Sequence, residues 1–490
     1  MEWSTIILFV LIFKSGTSDE NCRPNIAIIG GGIGGASSSH FLTELFKEDL
    51  NIDLYETKTI GGRLATVQID NNEFEAGGSI VHSDNKYMRE FVKLLGLESL
   101  ASPSSQRAGI WNGNEFVFEE NAWEAITLAK LLYRYGIQSF SLFRYVNSIL
   151  NDFSKIYALQ DAEKSFENVT SLLSAMNAEF PRLLEVPIKN HLLNMGYTEN
   201  LIDEIVKATL VVNYGQSTNV QSFVGSVSVA GAGSNLWSVK GGNKKVPEHL
   251  IHRNKNVNIV RSCVNKIVNV PTNDSKTLYE VHYSNKDSRI TVKTTYDIVI
   301  LAIPLTPDQE FPITFEGFPK NDFYSLQKYH KTVATFVKAD LKPHYFGLDE
   351  EIDGILSCNP NETIVNSVGR LNSVEGTLKN SKVWKIFSNA PLDSGLLNDM
   401  FSNINQVKEI TWKAYPEYST GIRQGKFKLH NLLYHVNAIE WAASAMEMSA
   451  ISGRNIAILA HKDFSRMCSS EVGKMQTNSH DNVQTENPEL

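Results

Sequence analysis

The chain has few cysteines for its length, four in 490 residues: Cys22, Cys263, Cys358 and Cys468. No two of them form a Cys-x-x-Cys pair, and their spacing matches no zinc site. A structural metal is therefore not expected, and the fold does not look dependent on disulfides. Which cysteines pair, if any, is left open, because sequence alone does not give the pairing.

An excess of basic charge is also missing. Lys and Arg together number 46 against 54 Asp and Glu, which gives a formal net charge of −8. This balance argues against a protein that binds nucleic acid through a basic surface. Hydrophobic content of 42% is ordinary for a globular protein, and the length predicts two or three domains.

Long apolar runs are scarce, and none is long enough for a convincing transmembrane helix. The run at residues 6–13, followed by small residues at 16–18, is typical of a signal peptide over residues 1–18. Glu2 departs from that pattern, since no basic residue precedes the run, and a buried N-terminal strand is the alternative. Sequons fit passage through the secretory pathway: Asn168, Asn273 and Asn361.

A nucleotide-binding unit is predicted just after this leader. Residues 25–29 are apolar and β-branched, as in a buried parallel strand, and a helix over 36–47 and a second strand over 51–55 follow. An acid, Glu56, ends the second strand. Between the first strand and the helix stand the glycines of a G-x-G-x-x-G pattern: Gly30, Gly32 and Gly35.

Each part of this unit has a physical role. Gly30 allows the tight turn, Gly32 lets the backbone approach a pyrophosphate, and Gly35 lets the helix pack closely on the strand. The N–H groups at the helix start, at Ile33, are offered to phosphates together with the positive end of the helix dipole. Glu56 is suited to both hydroxyls of a ribose, and its charge disfavours NADP.

Two further glycine clusters favour FAD over NAD. In the first, Gly62 and Arg63 follow Glu56 closely, and a fixed Arg there would bring a delocalised cation to the pyrophosphate. In the second, Gly78 and Ser79 lie where backbone can approach a flat ring. The alternative is a pair of ordinary turns, which three clusters in one short stretch make less attractive.

These motifs resemble those of the amine-oxidase-type FAD superfamily. The same resemblance appears where a buried strand ends at Ala302, and at Val264, which matches the residue that meets the adenine. More specific stretches resemble one family in it, the prenylcysteine oxidases, over about residues 26 to 461: residues 74–79, 213–218, 236–244, 383–388 and 442–450.

The resemblance implies FAD, molecular oxygen and an S-prenyl-cysteine substrate, in a lysosomal or secreted glycoprotein. It places Ala445 and Met446 at the start of a helix over 444–460 that points at the flavin pyrimidine ring. His82 is a candidate for a direct catalytic role, although a structural role is more common for such a histidine. A non-covalent flavin is expected, because Trp441 rather than a cysteine stands in the segment where a relative would carry the covalent link.

The fold class expected is α/β, with a Rossmann-type FAD-binding domain assembled from discontinuous segments and an inserted mixed helical/β substrate domain. The aromatic residues of the substrate domain are expected mainly in its core, with an apolar channel as the alternative: Trp111, Phe116, Phe118 and Trp123. The expected segments are 24–87, 230–304 and 430–462 for the FAD domain, 88–229 and 305–429 for the substrate domain, and 469–490 for a disordered tail.

The expected reaction is oxidative cleavage of a prenyl thioether to free cysteine, a prenyl aldehyde and hydrogen peroxide. Two alternatives share the fold: an amine or polyamine oxidase, and a secreted flavin-binding protein without turnover. An NAD-dependent dehydrogenase is disfavoured by the second glycine cluster and the C-terminal helix. The lysosome is the expected compartment, with the extracellular space as the alternative. A peripheral membrane contact would suit a lipid-like substrate, although no basic amphipathic helix is evident.

Overall fold

The computed structural model describes residues 22–481 apart from eight short gaps: 102–106, 232–235, 273–276, 286–289, 320–322, 326, 377–380 and 422–424. The predicted signal peptide and the sequon at Asn273 lie outside the described residues.

The strands are numbered in chain order: β1 Asn25–Ile29, β2 Asn51–Tyr55, β3 Thr66–Ile69, β4 Asn72–Glu75, β5 Val81–His82, β6 Ser99–Ala101, β7 Ala108–Trp111, β8 Phe116–Glu119, β9 Leu236–Val239, β10 Val257–Val260, β11 Cys263–Pro271, β12 Thr277–Ser284, β13 Val292–Tyr296, β14 Ile298–Leu301, β15 Thr314–Glu316, β16 Tyr329–Leu341, β17 Gly354–Ser357, β18 Val365–Arg370, β19 Val383–Ser388, β20 Phe401–Pro416, β21 Lys428–His430 and β22 Leu433–His435.

The α-helices are numbered likewise: α1 Ile33–Leu45, α2 Lys86–Leu94, α3 Glu124–Tyr135, α4 Gln138–Phe153, α5 Lys155–Asp161, α6 Val169–Met176, α7 Phe180–Leu183, α8 Ile188–Asn194, α9 Glu199–Leu201, α10 Lys207–Tyr214, α11 Ser222–Ala230, α12 Lys245–Arg253, α13 Ser394–Met400 and α14 Met446–Asp481. A π-helical turn, Ile202–Val206, joins α9 to α10, and 3₁₀ turns cover Pro343–Phe346 and Val436–Trp441.

A six-stranded sheet forms the nucleotide-binding half, in the order β10-β2-β1-β14-β22-β21. Its first five strands run parallel, and β21 is an antiparallel edge. Apart from Asn25, which is exposed at the start of β1, the inner strands β1 and β14 are apolar and buried, as expected for parallel strands covered on both faces. The strands come from distant parts of the chain, which confirms the predicted α/β fold with a discontinuous Rossmann-type domain.

Two long apolar stretches of the sequence are each divided between two sheets. Residues 256–270 break after Val260, so that β10 joins the central sheet and β11 a four-stranded sheet, β13-β12-β11-β15. Residues 289–303 break at Asp297, whose carboxylate accepts the N–H of Asn25 at 2.9 Å. Turn residues within an apolar run therefore redirect the chain, although the hydrophobic pattern continues through them.

The second half of the molecule combines a seven-stranded sheet with a layer of helices. The sheet order is β20-β16-β19-β18-β17-β7-β8, and the long antiparallel strands β16 and β20 form its main ladder. Helices α3 to α10 lie within residues 88–229, one of the two segments predicted for the substrate domain. Of the aromatic residues expected in the core, Trp111 is buried against Phe346, whereas Trp123 is 73% exposed.

The final helix is longer than expected. The predicted helix ends at residue 460, but α14 continues to Asp481, so the structure does not support a disordered tail beginning at residue 469. Cys468 on this helix forms a disulfide with Cys22, whereas Cys263 and Cys358 are free. The disulfide ties the start of the described chain to its last helix.

Candidate active site

A cavity of about 590 Å³ lies at the carboxyl ends of the parallel strands. This is the edge at which open α/β sheets bind ligands. Its lining includes the glycine turn after β1, the start of α14 and the strands β16, β19 and β20 of the second half. The cavity therefore lies between the two halves of the molecule, with the size expected of a cofactor or ligand site.

The glycine turn has the geometry expected of a phosphate-binding loop. Gly30 has φ +109°, and a Cβ there would lie 2.5 Å from the backbone oxygen of Ala302, so only glycine fits. A Cβ at Gly35 would lie 2.0 Å from the Gly30 oxygen, which explains the close helix–strand packing. At Gly32 the nearest atom would be 3.8 Å away, so nothing in the protein needs glycine there. The space it leaves open belongs to the cavity.

Helix α1 begins at Ile33. The residue before it, Gly32, has no side chain to cap the first backbone N–H groups, and the first turn contains no acid. The positive end of its dipole faces the cavity. Glu56 lies beside this turn and is fixed by two backbone donors, the N–H of Gly31 at 2.8 Å and that of Lys58 at 2.7 Å. Both oxygens retain lone pairs for hydroxyl donors. The loop thus offers donors for phosphates beside an acceptor for a ribose.

Arg63 lines the cavity but is committed to a protein carboxylate. Its guanidinium forms a bidentate ion pair with Glu440, which is fully buried, and also donates to the backbone oxygen of Ala414 at 2.7 Å. Burial opposes the positive charge, but Glu440 outweighs burial and raises the pKa of Arg63. The predicted contact with a pyrophosphate is therefore not the main interaction of this side chain. Arg63 instead joins the glycine cluster to the segment before α14.

Glu440 is the centre of a small buried network that sequence reasoning missed. It also accepts the hydroxyl of Tyr329 at 2.6 Å and the side-chain N–H of Asn437 at 2.8 Å. The carboxylate thus has four donors, as a buried charge requires. The sequence shows this acid only as part of a turn, and its partner lies 377 residues away.

The third glycine cluster packs against the start of α14. A Cβ at Gly78 would lie 2.8 Å from Leu64 and 3.7 Å from Met446. Ser79 is not in the cavity lining. Its hydroxyl donates to the Gly77 oxygen and accepts from Lys385 at 2.9 Å. Ser79 therefore supports the lining from behind.

Lys385 is a second residue that sequence reasoning missed, although it lies within a stretch that resembles the prenylcysteine oxidases. Burial lowers its pKa to about 8, and nearby Glu75 partly offsets this. Burial raises the pKa of Glu75 to about 7. The ammonium lies over the ring of Phe387 at 4.6 Å, and that ring lines the cavity.

An aromatic wall closes the side of the cavity away from the central sheet. It consists of Phe387, Trp412 and Tyr415. Tyr415 packs edge-on against Tyr214 at 5.1 Å, which holds its ring in place. Tyr214 comes from another of the stretches that carried the family resemblance. The wall gives one side of the cavity an apolar surface.

The cavity brings together most of the predicted cofactor-binding residues. Gly35 and Ser79 lie behind the lining, and His82 lies outside it, with Nδ1 accepting the backbone N–H of Asp84 at 3.2 Å. The geometry therefore gives no support to a catalytic role for His82. The predicted residues that do line the cavity are Gly30, Gly32, Ile33, Glu56, Gly62, Arg63, Gly78, Val264, Ala302, Ala445 and Met446.

The residues present fit FAD. The open position at Gly32 suits a pyrophosphate, and Glu56 suits a ribose. Three polar atoms buried in lining residues lack a partner among the described residues: Thr332 Oγ1, Trp412 Nε1 and Asn437 Oδ1. A polar ligand would supply these partners. No cysteine is found among the lining residues. The described residues contain no cluster of metal ligands.

Solved structures with the same fold include oxidases and an isomerase. Wild-type putrescine oxidase is 14% identical, with a TM-score of 0.58 and coverage of 89% of this chain and 98% of that one. A fatty acid isomerase from P. acnes is 14% identical, with a TM-score of 0.59 and coverage of 89% and 98%. At this identity the likeness concerns the fold alone. The fold and the site together define an FAD-dependent oxidoreductase.

Sequence comparison then gives the family. The prenylcysteine lyase model matches residues 118–472, and an NAD(P)-binding Rossmann-like model matches residues 28–95. Prenylcysteine oxidase 1 of Bos taurus is 36% identical over 473 residues, covering 93% of this chain and 92% of the relative. The human protein is 37% identical, covering 89% and 88%, and human prenylcysteine oxidase 1-like is 33% identical, covering 93% of both. The chain belongs to the prenylcysteine lyase family.

Proposed function

We propose that this protein cleaves S-prenyl-L-cysteine oxidatively in the breakdown of prenylated proteins. The thioether, oxygen and water give free cysteine, a prenyl aldehyde and hydrogen peroxide. One observation carries the proposal: an apolar aromatic wall closes the dinucleotide cavity. The chain matches this family over most of its length. An apolar wall beside a cofactor site suits a prenyl chain.

The chain's own residues would hold FAD in a fixed orientation. The turn at Gly30–Gly32 and the start of α1 would bind the pyrophosphate, and Glu56 would bind the adenosine ribose. Ala445 precedes α14 and Met446 begins it, and the positive dipole end of this helix favours negative charge at the other end of the cofactor. When bound, FAD supplies the hydride acceptor and passes the electrons to oxygen.

The protein's remaining task is to place the substrate. The carbon that is oxidised lies between sulfur and an alkene, which both stabilise positive charge, so the reaction asks for little acid–base help. The aromatic wall of Phe387, Trp412 and Tyr415 provides the surface on which a prenyl chain packs, and it limits the access of water. Unpartnered polar atoms at Thr332 and Trp412 are available to groups of the ligand.

Anaerobic mixing of the purified holoprotein with S-farnesylcysteine tests this proposal. Bleaching of the flavin absorbance, followed by peroxide, cysteine and aldehyde when air is admitted, is the expected result. Putrescine and cyclohexylamine serve as alternative substrates, because amine oxidases share the fold. A flavin that amines bleach and farnesylcysteine does not would replace the proposal with an amine oxidase. A flavin that neither bleaches would indicate a flavin-binding protein without turnover.

A pair of tryptophan variants sharpens the test. Trp412→Ala removes part of the cavity wall, and we expect KM for farnesylcysteine to rise by about tenfold or more, since a large apolar contact is lost. Trp123→Ala is the matched control, because Trp123 is 73% exposed and is not in the cavity lining. In lipid-free buffer it should keep the parent KM. Equal effects of the two changes would refute the placement of the substrate.

We further propose that the protein works in the lysosome after passing through the secretory pathway. The apolar run at residues 6–13 and the disulfide between Cys22 and Cys468 support this, since disulfides persist in oxidising compartments. Asn361 is exposed on a turn, and Asn168 is half-buried, with its side-chain oxygen capping α6. Glycosidase treatment with peptide mass mapping tests glycosylation at these sites and at Asn273.

A further inference from the structure

Helices α3 and α4 present an apolar surface to solvent. Eight of the seventeen large apolar side chains that are exposed in the described chain fall between residues 123 and 143. Tyr133 is 95% exposed, Ile137 76% and Trp123 73%. We call this surface the α3–α4 patch: Trp123, Ile126, Leu128, Leu132, Tyr133, Ile137, Phe140 and Phe143. Single exposed apolar residues are normal, but a group this dense on two adjoining helices marks an interaction site.

The patch is held in place by contacts on its inner side. In α3 only Tyr135 is fully buried, and its hydroxyl donates to Glu204 at 2.8 Å. Arg134 donates to the same carboxylate through two nitrogens, at 2.6 and 2.7 Å. Helix α4 buries Leu142, Val146 and Ile149 among its core contacts. A helix that is fixed through one buried side chain and an ion pair leaves most of its apolar residues for another partner.

The charges around the patch differ from those of the whole chain. Residues 121–150 contain three basic residues, Lys130, Arg134 and Arg144, and one acidic residue, Glu124. Because Arg134 is paired with Glu204, Lys130 and Arg144 against Glu124 leave a net charge of +1, in a chain whose net charge is −8. The patch also contains Trp123 and Tyr133, side chains that favour the boundary between lipid and water. An apolar surface with interfacial aromatics and a small positive charge, on a protein that is acidic overall, suits the surface of anionic lipid.

We propose that the α3–α4 patch docks the protein on the surface of an anionic phospholipid bilayer, with both helices lying in the interface. At 12 and 16 residues, these helices are too short to cross a bilayer. Within the described residues, no helix combines the length and the apolar character that crossing requires. The proposal draws on the surface alone and does not depend on the substrate. A prenyl substrate, which partitions into lipid, gives such docking an obvious use.

Flotation of the purified holoprotein with vesicles tests the proposal. We expect binding to phosphatidylcholine vesicles that contain phosphatidylserine, weaker binding to pure phosphatidylcholine, and a decrease as salt is raised. Ile137→Ser and Tyr133→Ser should each lower the vesicle partition by about tenfold. Ile290→Ser is the matched control for Ile137→Ser, since Ile290 is 73% exposed but lies far along the chain from the patch. It should bind as the parent does.

The outcomes separate docking from catalysis. Turnover of farnesylcysteine in lipid-free buffer and the flavin spectrum should be unchanged in all three variants. Failure of the proposed function would therefore show in the turnover assay and not in flotation. Absence of binding to either vesicle, or equal binding by the parent and the patch variants, would overturn the proposal. Light scattering gives a further outcome against it. A dimer that Ile137→Ser dissociates, with no vesicle binding, would assign the patch to a second copy of the chain.

Discussion

Replacing Glu440 with Gln is the sharpest test of how the cavity is held together. The carboxylate is fully buried and receives donors from Arg63, Tyr329 and Asn437. Glu440→Gln keeps the shape but removes the charge and turns one acceptor into a donor that faces other donors. Breaking a buried ion pair on one side costs about 3–5 kcal/mol. Since the Arg63 side chain keeps 35% exposure, we expect the lower end, about 3 kcal/mol.

Urea denaturation at a fixed FAD concentration measures this change, with tryptophan fluorescence for unfolding and flavin fluorescence for cofactor release. Glu409→Gln is the control, because Glu409 is exposed on β20, and its free energy of unfolding should stay within about 0.5 kcal/mol of the parent. The double variant Arg63→Met, Glu440→Gln should lose less than the two single changes summed. A loss below about 0.5 kcal/mol in Glu440→Gln would refute the reasoning.

Three further changes probe the cofactor, the pH response and the disulfide. Gly32→Val should weaken FAD binding by about tenfold or more with little loss of apoprotein stability, because the valine side chain would enter the cavity. Titration of the apoprotein with FAD measures this, and Gly369→Ala, in open space on β18, is the control. Burial lowers the pKa of His435 to about 4. Because this histidine takes up its proton at a higher pH in the unfolded chain than in the folded one, the free energy of unfolding should fall by about 3 kcal/mol as the pH drops from about 6.5 to 4. Denaturation series over this pH range should show a flatter slope for His435→Gln. Replacing Cys22 and Cys468 with Ser should lower stability by about 2–5 kcal/mol, with the parent's bond checked by non-reducing peptide mapping.

The first βαβ unit could be predicted from sequence because its signals are local. Strand, glycine turn, helix and acid follow one another within about thirty residues, and the position of each glycine in the turn defines its role. The structure agrees for Gly30 and Gly35, where a Cβ would collide with backbone, and for Gly32, where it would not. The family stretches extended this success, since Met446 and Ala302 lie at the cavity as the resemblance implied.

The rest of the site depends on contacts between distant segments, which periodicity does not show. Arg63 was expected at a pyrophosphate because it follows a glycine cluster. Nothing in the sequence near it shows that Glu440, 377 residues away, lies beside it in the fold. Lys385 lies in a strand-like stretch in which a lysine would ordinarily be solvated, and only the packing of β19 behind Ser79 buries it. Trp123 shows the opposite error: the aromatic residues of the substrate domain were expected mainly in its core, and this one is 73% exposed just before α3.

The placement of the two helix ends at the cavity follows from glycines in both helices. A Cβ at Gly453 of α14 would lie 2.9 Å from the Cβ of Ser37 and 3.0 Å from the backbone nitrogen of Ser38, both in α1. A Cβ at Gly34 of α1 would lie 2.8 Å from Val436, in the 3₁₀ turn before α14. The helices therefore cross almost backbone to backbone, and their starts cannot shift independently. Glu447, at the start of α14, also accepts backbone N–H groups from α2, at 2.7 and 3.0 Å. The phosphate end and the ring end of a dinucleotide site are thus set at a fixed separation by packing within one half of the molecule, which leaves the aromatic wall of the other half free to determine the substrate.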